Sequence, residues 1–215
     1  MKKAQIISRL RDPGIVAIIR ADDSSQLIDA TQALLDGGIR AVELTMTTPD
    51  AIGVIEKAAA KFGDQILLGL GSVLDETTAR LGILAGAKFI VTPVFRPAVI
   101  TACVRYGVPI ASGAYTPTEA LVAHEAGADF VKIFPADGLG AGYIKAIKGP
   151  LPQLEIIPTG GVNLKTVKEF LDAGCAALAV GSNLVSKDIL AARDWTKLRE
   201  TAASYVAAVK AAKGL

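Results

Sequence analysis

Apolar residues gather in eight short, dense runs, at positions 15–20, 41–45, 66–72, 89–93, 108–113, 130–135, 156–160 and 177–181. Between them the pattern changes period. Segments 26–35, 51–61, 77–84, 118–125 and 164–171 carry apolar residues at helical spacing and are bracketed by turn formers. The order is strand, helix, strand throughout. A run that is apolar at nearly every position suits a strand covered on both faces, as in a parallel sheet flanked by helices, whereas an antiparallel meander would alternate.

The helix boundaries are written in the same places. Thr116-Pro117-Thr118-Glu119 sets a threonine at the N-cap, a proline at the first helical position and a glutamate three residues after the cap. Thr48-Pro49-Asp50 predicts the same opening without the glutamate. Helices end at Asp36-Gly37-Gly38, Ala85-Gly86-Ala87, Ala126-Gly127-Ala128 and Ala173-Gly174-Cys175, where glycine can take the left-handed C-cap conformation before the next strand. This junction, used four times, is the nearest thing to an internal repeat. Residues 1–11 predict a short amphipathic helix. Eight strand-helix units in 215 residues, with no linker or low-complexity stretch, predict an α/β protein. The expected fold is a (β/α)8 (TIM) barrel with a short N-terminal helix, forming one domain over 1–215; a doubly wound open sheet is the alternative.

Composition narrows the class. At 51% hydrophobic and 20% charged, the chain is neither disordered nor a disulfide scaffold, and its length gives it a sizeable core without a metal staple. No apolar run approaches the roughly 20 residues that cross a bilayer, and residues 1–11 lack the apolar centre of a signal peptide. No membrane association is expected. Lys and Arg total 23 against 21 Asp and Glu with no basic block, so nucleic acid is not an expected partner, although local charges can hold a small anion. Cys103 and Cys175 show neither C-x-x-C nor metal-ligand spacing; they read as small hydrophobes in a reducing, cytoplasmic setting.

In a (β/α)8 barrel the chemistry sits at the C-terminal ends of the strands. Lys132 stands there inside an apolar strand, where alternation turns Phe130, Lys132 and Phe134 toward the lumen and Val131 and Ile133 toward the helices. Burial disfavours an ammonium ion, and the neutral amine is the form that adds to a carbonyl to make a Schiff base. Glu43 is the matching oddity in the run 41–45; if Ala41, Glu43 and Thr45 face the lumen, Glu43 can approach Lys132 and shuttle protons. The alternative is a structural Lys-Glu pair without chemistry. Thr159-Gly160-Gly161-Val162 and Val180-Gly181-Ser182-Asn183 put glycine turns after strands 7 and 8, the usual phosphate position in such barrels, where backbone N–H groups can approach an anion; ordinary tight turns are the plainer explanation. Gly69-Leu70-Gly71 lacks the third glycine of a dinucleotide fingerprint, and the lone His124 leaves no histidine cluster for a metal. Trp195 and Tyr205 read as packing residues.

Taken together, these residues resemble the 2-keto-3-deoxy-6-phosphogluconate (KDPG) and 4-hydroxy-2-oxoglutarate (KHG) aldolase family of class I aldolases. The likeness spans nearly the whole chain. It is carried by Ile15-Val16-Ala17-Ile18-Ile19-Arg20, Val42-Glu43-Leu44-Thr45, Gly69-Leu70-Gly71-Ser72-Val73, Thr116-Pro117-Thr118-Glu119, Val131-Lys132-Ile133-Phe134-Pro135-Ala136 and Pro158-Thr159-Gly160-Gly161-Val162. The resemblance implies that Lys132 forms the Schiff base, that Glu43 is the acid/base and that Ser72 and Pro93 line the pyruvate end. It further implies that Phe134 walls the pocket and that Thr159, Gly160, Gly161, Gly181 and Ser182 hold a distal phosphate. A keto acid and a phosphorylated aldehyde are the implied small-molecule partners, in a homotrimer with no metal and no cofactor. Two positions depart from the pattern: Ser72 stands where many members have threonine, and Thr47 stands where many have an arginine for the substrate carboxylate. Arg20 is the natural replacement. The rival readings are a phosphosugar isomerase on the same barrel and a non-catalytic phospholigand-binding protein.

Overall fold

The computed structural model describes residues 1–214. A helix, α1 (Lys3–Arg11), precedes β1 (Ile15–Ile19), α2 (Leu27–Asp36), β2 (Ala41–Thr45), α3 (Ala51–Phe62), β3 (Leu67–Gly71), α4 (Glu76–Leu84) and β4 (Phe89–Val91). Then follow α5 (Pro97–Tyr106), β5 (Ile110–Ala114), α6 (Pro117–Glu125), β6 (Phe130–Ile133), α7 (Gly140–Lys148), β7 (Ile156–Pro158), α8 (Val167–Asp172) and β8 (Leu178–Val180). Two helices close the order, α9 (Lys187–Ala192) and α10 (Trp195–Lys213). All neighbouring strands pair in parallel, in the order β7-β6-β5-β4-β3-β2-β1-β8. A single parallel bridge, Thr159 to Ala179, joins the two ends of that ribbon. The fold is the expected (β/α)8 barrel and not an open sheet.

Alternation along each strand makes two concentric cores. Val16, Ile18, Leu67, Phe89, Val91, Phe130 and Ile157 fill the lumen. Ile15, Ile19, Val42, Leu44, Ile110, Val131 and Ile133 pack outward beneath the helices. This two-sided burial is why the strand runs are continuously apolar. The lumen is stoppered at its N-terminal end by α1, whose Ile6 and Leu10 join the inner core. Polar ties hold the stopper: Lys3 pairs with Asp129 at 2.9 Å, Arg9 donates to the Asp64 carbonyl at 2.8 Å, and Lys213 donates to the Arg11 carbonyl at 2.7 Å.

The four glycine junctions form as expected, with Gly38, Gly86, Gly127 and Gly174 at φ of 93°, 112°, 99° and 86°. After each, the next residue's N–H reaches the carbonyl five residues back, as in Ile39 to Leu34 at 2.9 Å and Ala87 to Gly82 at 2.9 Å. A fifth copy, unread in the sequence, lies at Gly107, where Val108 donates to the Cys103 carbonyl at 3.0 Å. That turn consumes Val108, so β5 covers Ile110–Ala114 rather than 108–113.

Other boundaries move for identifiable reasons. Thr48 does not cap α3, which begins at Ala51 behind a left-handed Asp50; its hydroxyl instead accepts the Ala21 N–H at 3.2 Å, fastening the end of β1 to the loop after β2. Several strands stop one or two residues before the apolar runs do. Ser72 and Gly160 turn the backbone to φ of 58° and 95°, and Pro93 and Pro135 have no N–H for the ladder.

The capping box of α6 closes as read: Thr116 accepts the Glu119 N–H at 3.2 Å, and the Glu119 carboxylate accepts the N–H groups of Tyr115 at 2.6 Å and Thr116 at 2.9 Å. Those backbone donors, Tyr115 first, hold the Glu119 carboxyl below its usual range. A depressed native value means the contribution to stability is present at neutral pH and fades as the carboxylate protonates. Thr116→Ala is expected to lower unfolding free energy by about 1 kcal/mol. The gap between wild type and Glu119→Gln should narrow as pH falls below the 4.5 of a free glutamate, as urea titration would read.

Candidate active site

β2 and β6 stand four places apart in the ring of eight strands, so their inward side chains meet across the lumen. Lys132 on β6 and Glu43 on β2 do so, with Nζ 3.7 Å from Oε1 and side chains only 7% and 2% exposed. The face-sharing read from the sequence is therefore correct. Room for the carboxylate comes from β3, where a Cβ on Gly71 would collide with Glu43 Oε1. The Phe134 ring covers the lysine from the mouth, its centroid 5.1 Å from Nζ. The pair itself borders a small cavity of about 20 Å³, lined also by Leu10 of α1, Phe89, Phe130 and Ile157.

The pair is close but not locked. At 3.7 Å the contact exceeds hydrogen-bond length, and Glu43 Oε1 has no hydrogen-bond partner among the described residues. The buried hydroxyl of Thr159 is equally unpartnered. Buried polar atoms of this kind are uncommon and mark places where another group is to be met. A carboxylate with an idle oxygen beside a buried amine can receive and return protons.

On the mouth side of the pair opens a cleft of about 280 Å³, which shares Thr159 and Ala179 with the cavity at the pair but is lined by neither Lys132 nor Glu43. Phe134, Thr159, Gly160, Gly161, Gly181 and Ser182 all line it, as does Arg20. Arg20 makes no ion pair among the described residues. The cleft also takes in Lys187, at the start of α9, whose ammonium pairs at the rim with Asp22 at 3.6 Å. No sequence signal marks Lys187, because its approach depends on how α9 docks. Ser72, Pro93 and Thr47 stand at the same barrel end, after β3, β4 and β2, but outside the cleft lining. Thr47 is exposed, its hydroxyl 2.9 Å from that of Thr45. Ser72 holds a left-handed backbone, a strained state for a residue with a Cβ. His124 is part-buried in the last turn of α6, at the end of that helix remote from the C-terminal strand ends. Among the described residues no three His, Cys, Asp or Glu side chains are grouped to hold a metal.

A closed barrel with an ion pair in its lumen and glycine turns at the same mouth defines a (β/α)8 enzyme. The sequence profile "KDPG and KHG aldolase" matches residues 6–201. A 2-dehydro-3-deoxy-6-phosphogalactonate aldolase of Escherichia coli is 34% identical over 92% of this chain and 95% of its own. A 2-dehydro-3-deoxy-phosphogluconate aldolase of Haemophilus influenzae is 32% identical over 90% of this chain and 92% of its own. The chain belongs to the KDPG and KHG aldolase family, and it is a lyase. Among solved structures, KDPG aldolase from Legionella pneumophila, with pyruvate captured as a covalent carbinolamine, superposes with a TM-score of 0.85 at 27% identity, covering 92% of this chain and 96% of that one. A native KDPGal structure gives 0.87 at 33% identity, over 94% and 96%.

Because the three nearest atoms a Cβ at position 71 would meet all belong to the Glu43 side chain and none to backbone, Gly71→Ala should leave the barrel folded while displacing the carboxylate. Circular dichroism should be unchanged and aldol turnover should fall about 10²-fold or more.

Proposed function

We propose that this chain is a class I aldolase that cleaves 2-keto-3-deoxy-6-phosphogluconate to pyruvate and glyceraldehyde 3-phosphate and catalyses the reverse condensation. The observation that carries this reading is the buried Lys132–Glu43 contact at 3.7 Å beneath an open cleft. With the proton of the pair passed to Glu43, the Lys132 amine adds through Nζ to the C2 carbonyl; Glu43 delivers that proton to the oxygen and water leaves, giving an iminium. Glu43, now a carboxylate, takes the proton of the C4 hydroxyl. The C3–C4 bond breaks, its electron pair passes into an enamine, and C4 becomes the carbonyl carbon of the released aldehyde. Glu43 returns its proton to C3, and water added at C2, its surplus proton taken up by the Glu43 carboxylate, frees pyruvate and restores the amine. The lysine supplies the electron sink, so no cofactor enters.

Each remaining residue has a place in this scheme. Phe134 walls the cleft over the lysine, while Ser72 and Pro93 flank the pyruvate end. Arg20, without an ion-pair partner of its own, receives the substrate carboxylate in place of an arginine at Thr47. Thr159, Gly160, Gly161, Gly181 and Ser182 take the phosphate. Residues 1–215 act as one barrel domain. The buried free thiols Cys103 and Cys175, each pushed by burial up to about 12, suit a reducing cytoplasm.

Borohydride reduction with pyruvate should fix a stable adduct on Lys132, located by peptide mass spectrometry. An unmodified lysine in folded protein would return the phosphosugar isomerase and ligand-binding readings. Lys132→Ala should abolish the adduct. Glu43→Gln should retain some imine formation and slow turnover by about 10² to 10⁴.

A homotrimer is part of the same proposal. Leu81 and Leu84 on α4 are 51% and 64% exposed, and Val104 and Tyr106 on α5 are 50% and 40% exposed. A cluster of large apolar side chains on one flank is the mark of a protein contact surface. Sedimentation should return three times the 22.2 kDa chain mass, independent of tags.

A further inference from the structure

The backbone of the turn after β7 is held by side chains. The Gly161 carbonyl accepts from the Thr166 hydroxyl at 2.9 Å and from Asn163 Nδ2 at 3.1 Å. The Val162 carbonyl accepts from Asn183 Nδ2 at 2.9 Å. Thr166 also receives the Asn163 N–H at 2.9 Å, so its hydroxyl spans the turn as donor and acceptor. By contrast, the N–H groups of Gly160, Gly161 and Val162, and those of Ser182 and Asn183 after β8, donate to no group among the described residues. All five residues line the cleft.

A peptide unit is planar, with its C=O and N–H on opposite sides. Holding the Gly161 carbonyl from behind therefore aims the Val162 N–H the other way. Gly160 and Gly161 at φ of 95° and 71° allow successive N–H groups to form an anion-binding concavity. Asn183 does something more. Its amide, in the turn after β8, grips a carbonyl 21 residues earlier in the turn after β7. Its own carbonyl accepts the Tyr205 hydroxyl of α10 at 3.4 Å, from a phenol only 2% exposed.

We propose that the side chains of Thr166 and Asn183 position the distal phosphate: these side chains touch turn carbonyls and not the substrate, and they set the N–H groups of the two turns on one dianion. This rests on reading those turns as the phosphate end of the site. Without its brace, the Gly161–Val162 peptide is free to rotate and present a carbonyl to the phosphate in place of a donor. Without Asn183, the side-chain tie between the two turns is lost and the Thr159–Ala179 bridge at their base is what remains.

The test is steady-state condensation of pyruvate with glyceraldehyde 3-phosphate and with unphosphorylated glyceraldehyde, for wild type, Thr166→Val, Thr166→Ser and Asn183→Ala. Thr166→Val and Asn183→Ala are each expected to raise the KM for the phosphorylated aldehyde about tenfold. Borohydride trapping of pyruvate and the constants for unphosphorylated glyceraldehyde should hold at wild-type values, and Thr166→Ser should restore the KM. Equal losses with both aldehydes, or an unchanged KM in a wild-type background that prefers the phosphorylated substrate, would overturn the brace alone. A wild type that shows no preference would overturn the phosphate reading, and the brace with it.

Discussion

An ammonium and a carboxylate facing each other inside an apolar tube are at odds with their surroundings. Removing each ion from water costs several kcal/mol even after relaxation, and their attraction recovers that only where geometry and further hydrogen bonds are good. Here the contact is 3.7 Å and one carboxylate oxygen is idle, so the pair is a poor way to hold a barrel together. Its surroundings are arranged around it all the same. β3 offers a glycine where any side chain would strike the carboxylate, Phe134 covers the amine from above, and α1 seals the tube from below. A site that is electrostatically uncomfortable and sterically well provided for has the character of places where reactive groups are held.

The two ends of the barrel divide the labour. At the N-terminal end, helices terminate in repeated glycine turns and α1 fills the opening, an arrangement concerned with closure. At the C-terminal end, strands stop early, backbones enter left-handed or glycine conformations, and polar groups go unpartnered. Irregularity at one rim is supported by regularity at the other.

Much of this was legible in the residues. Eight continuous apolar runs imply strands covered on both sides, and four strands of separation in an eight-membered ring bring Glu43 opposite Lys132. What escaped notice depends on tertiary approach. Thr48 has the look of a helix cap, but its hydroxyl is taken by the N–H of Ala21 in a different loop. Leu10 reads as one apolar position of an amphipathic helix, and only docking shows it sharing a cavity with Glu43 and Lys132. Lys187 reaches the cleft through the placement of α9, and Asn183, although it lies in a turn read from the sequence, meets the Val162 carbonyl only once the barrel closes. The ends of the strands were overread because proline and glycine there still look apolar while having already left the ladder.

The stopper at the base of the barrel has a consequence for the order of assembly. Arg9 is tied to a carbonyl 55 residues further on, and the Arg11 carbonyl to an ammonium 202 residues further on. During synthesis α1 emerges before any strand it will close, and its seat is complete only when α10 has folded back across the base. A helix made ahead of every strand it closes is thus among the last of these elements to settle, and a nascent chain holding both Glu43 and Lys132 still lacks the floor beneath them.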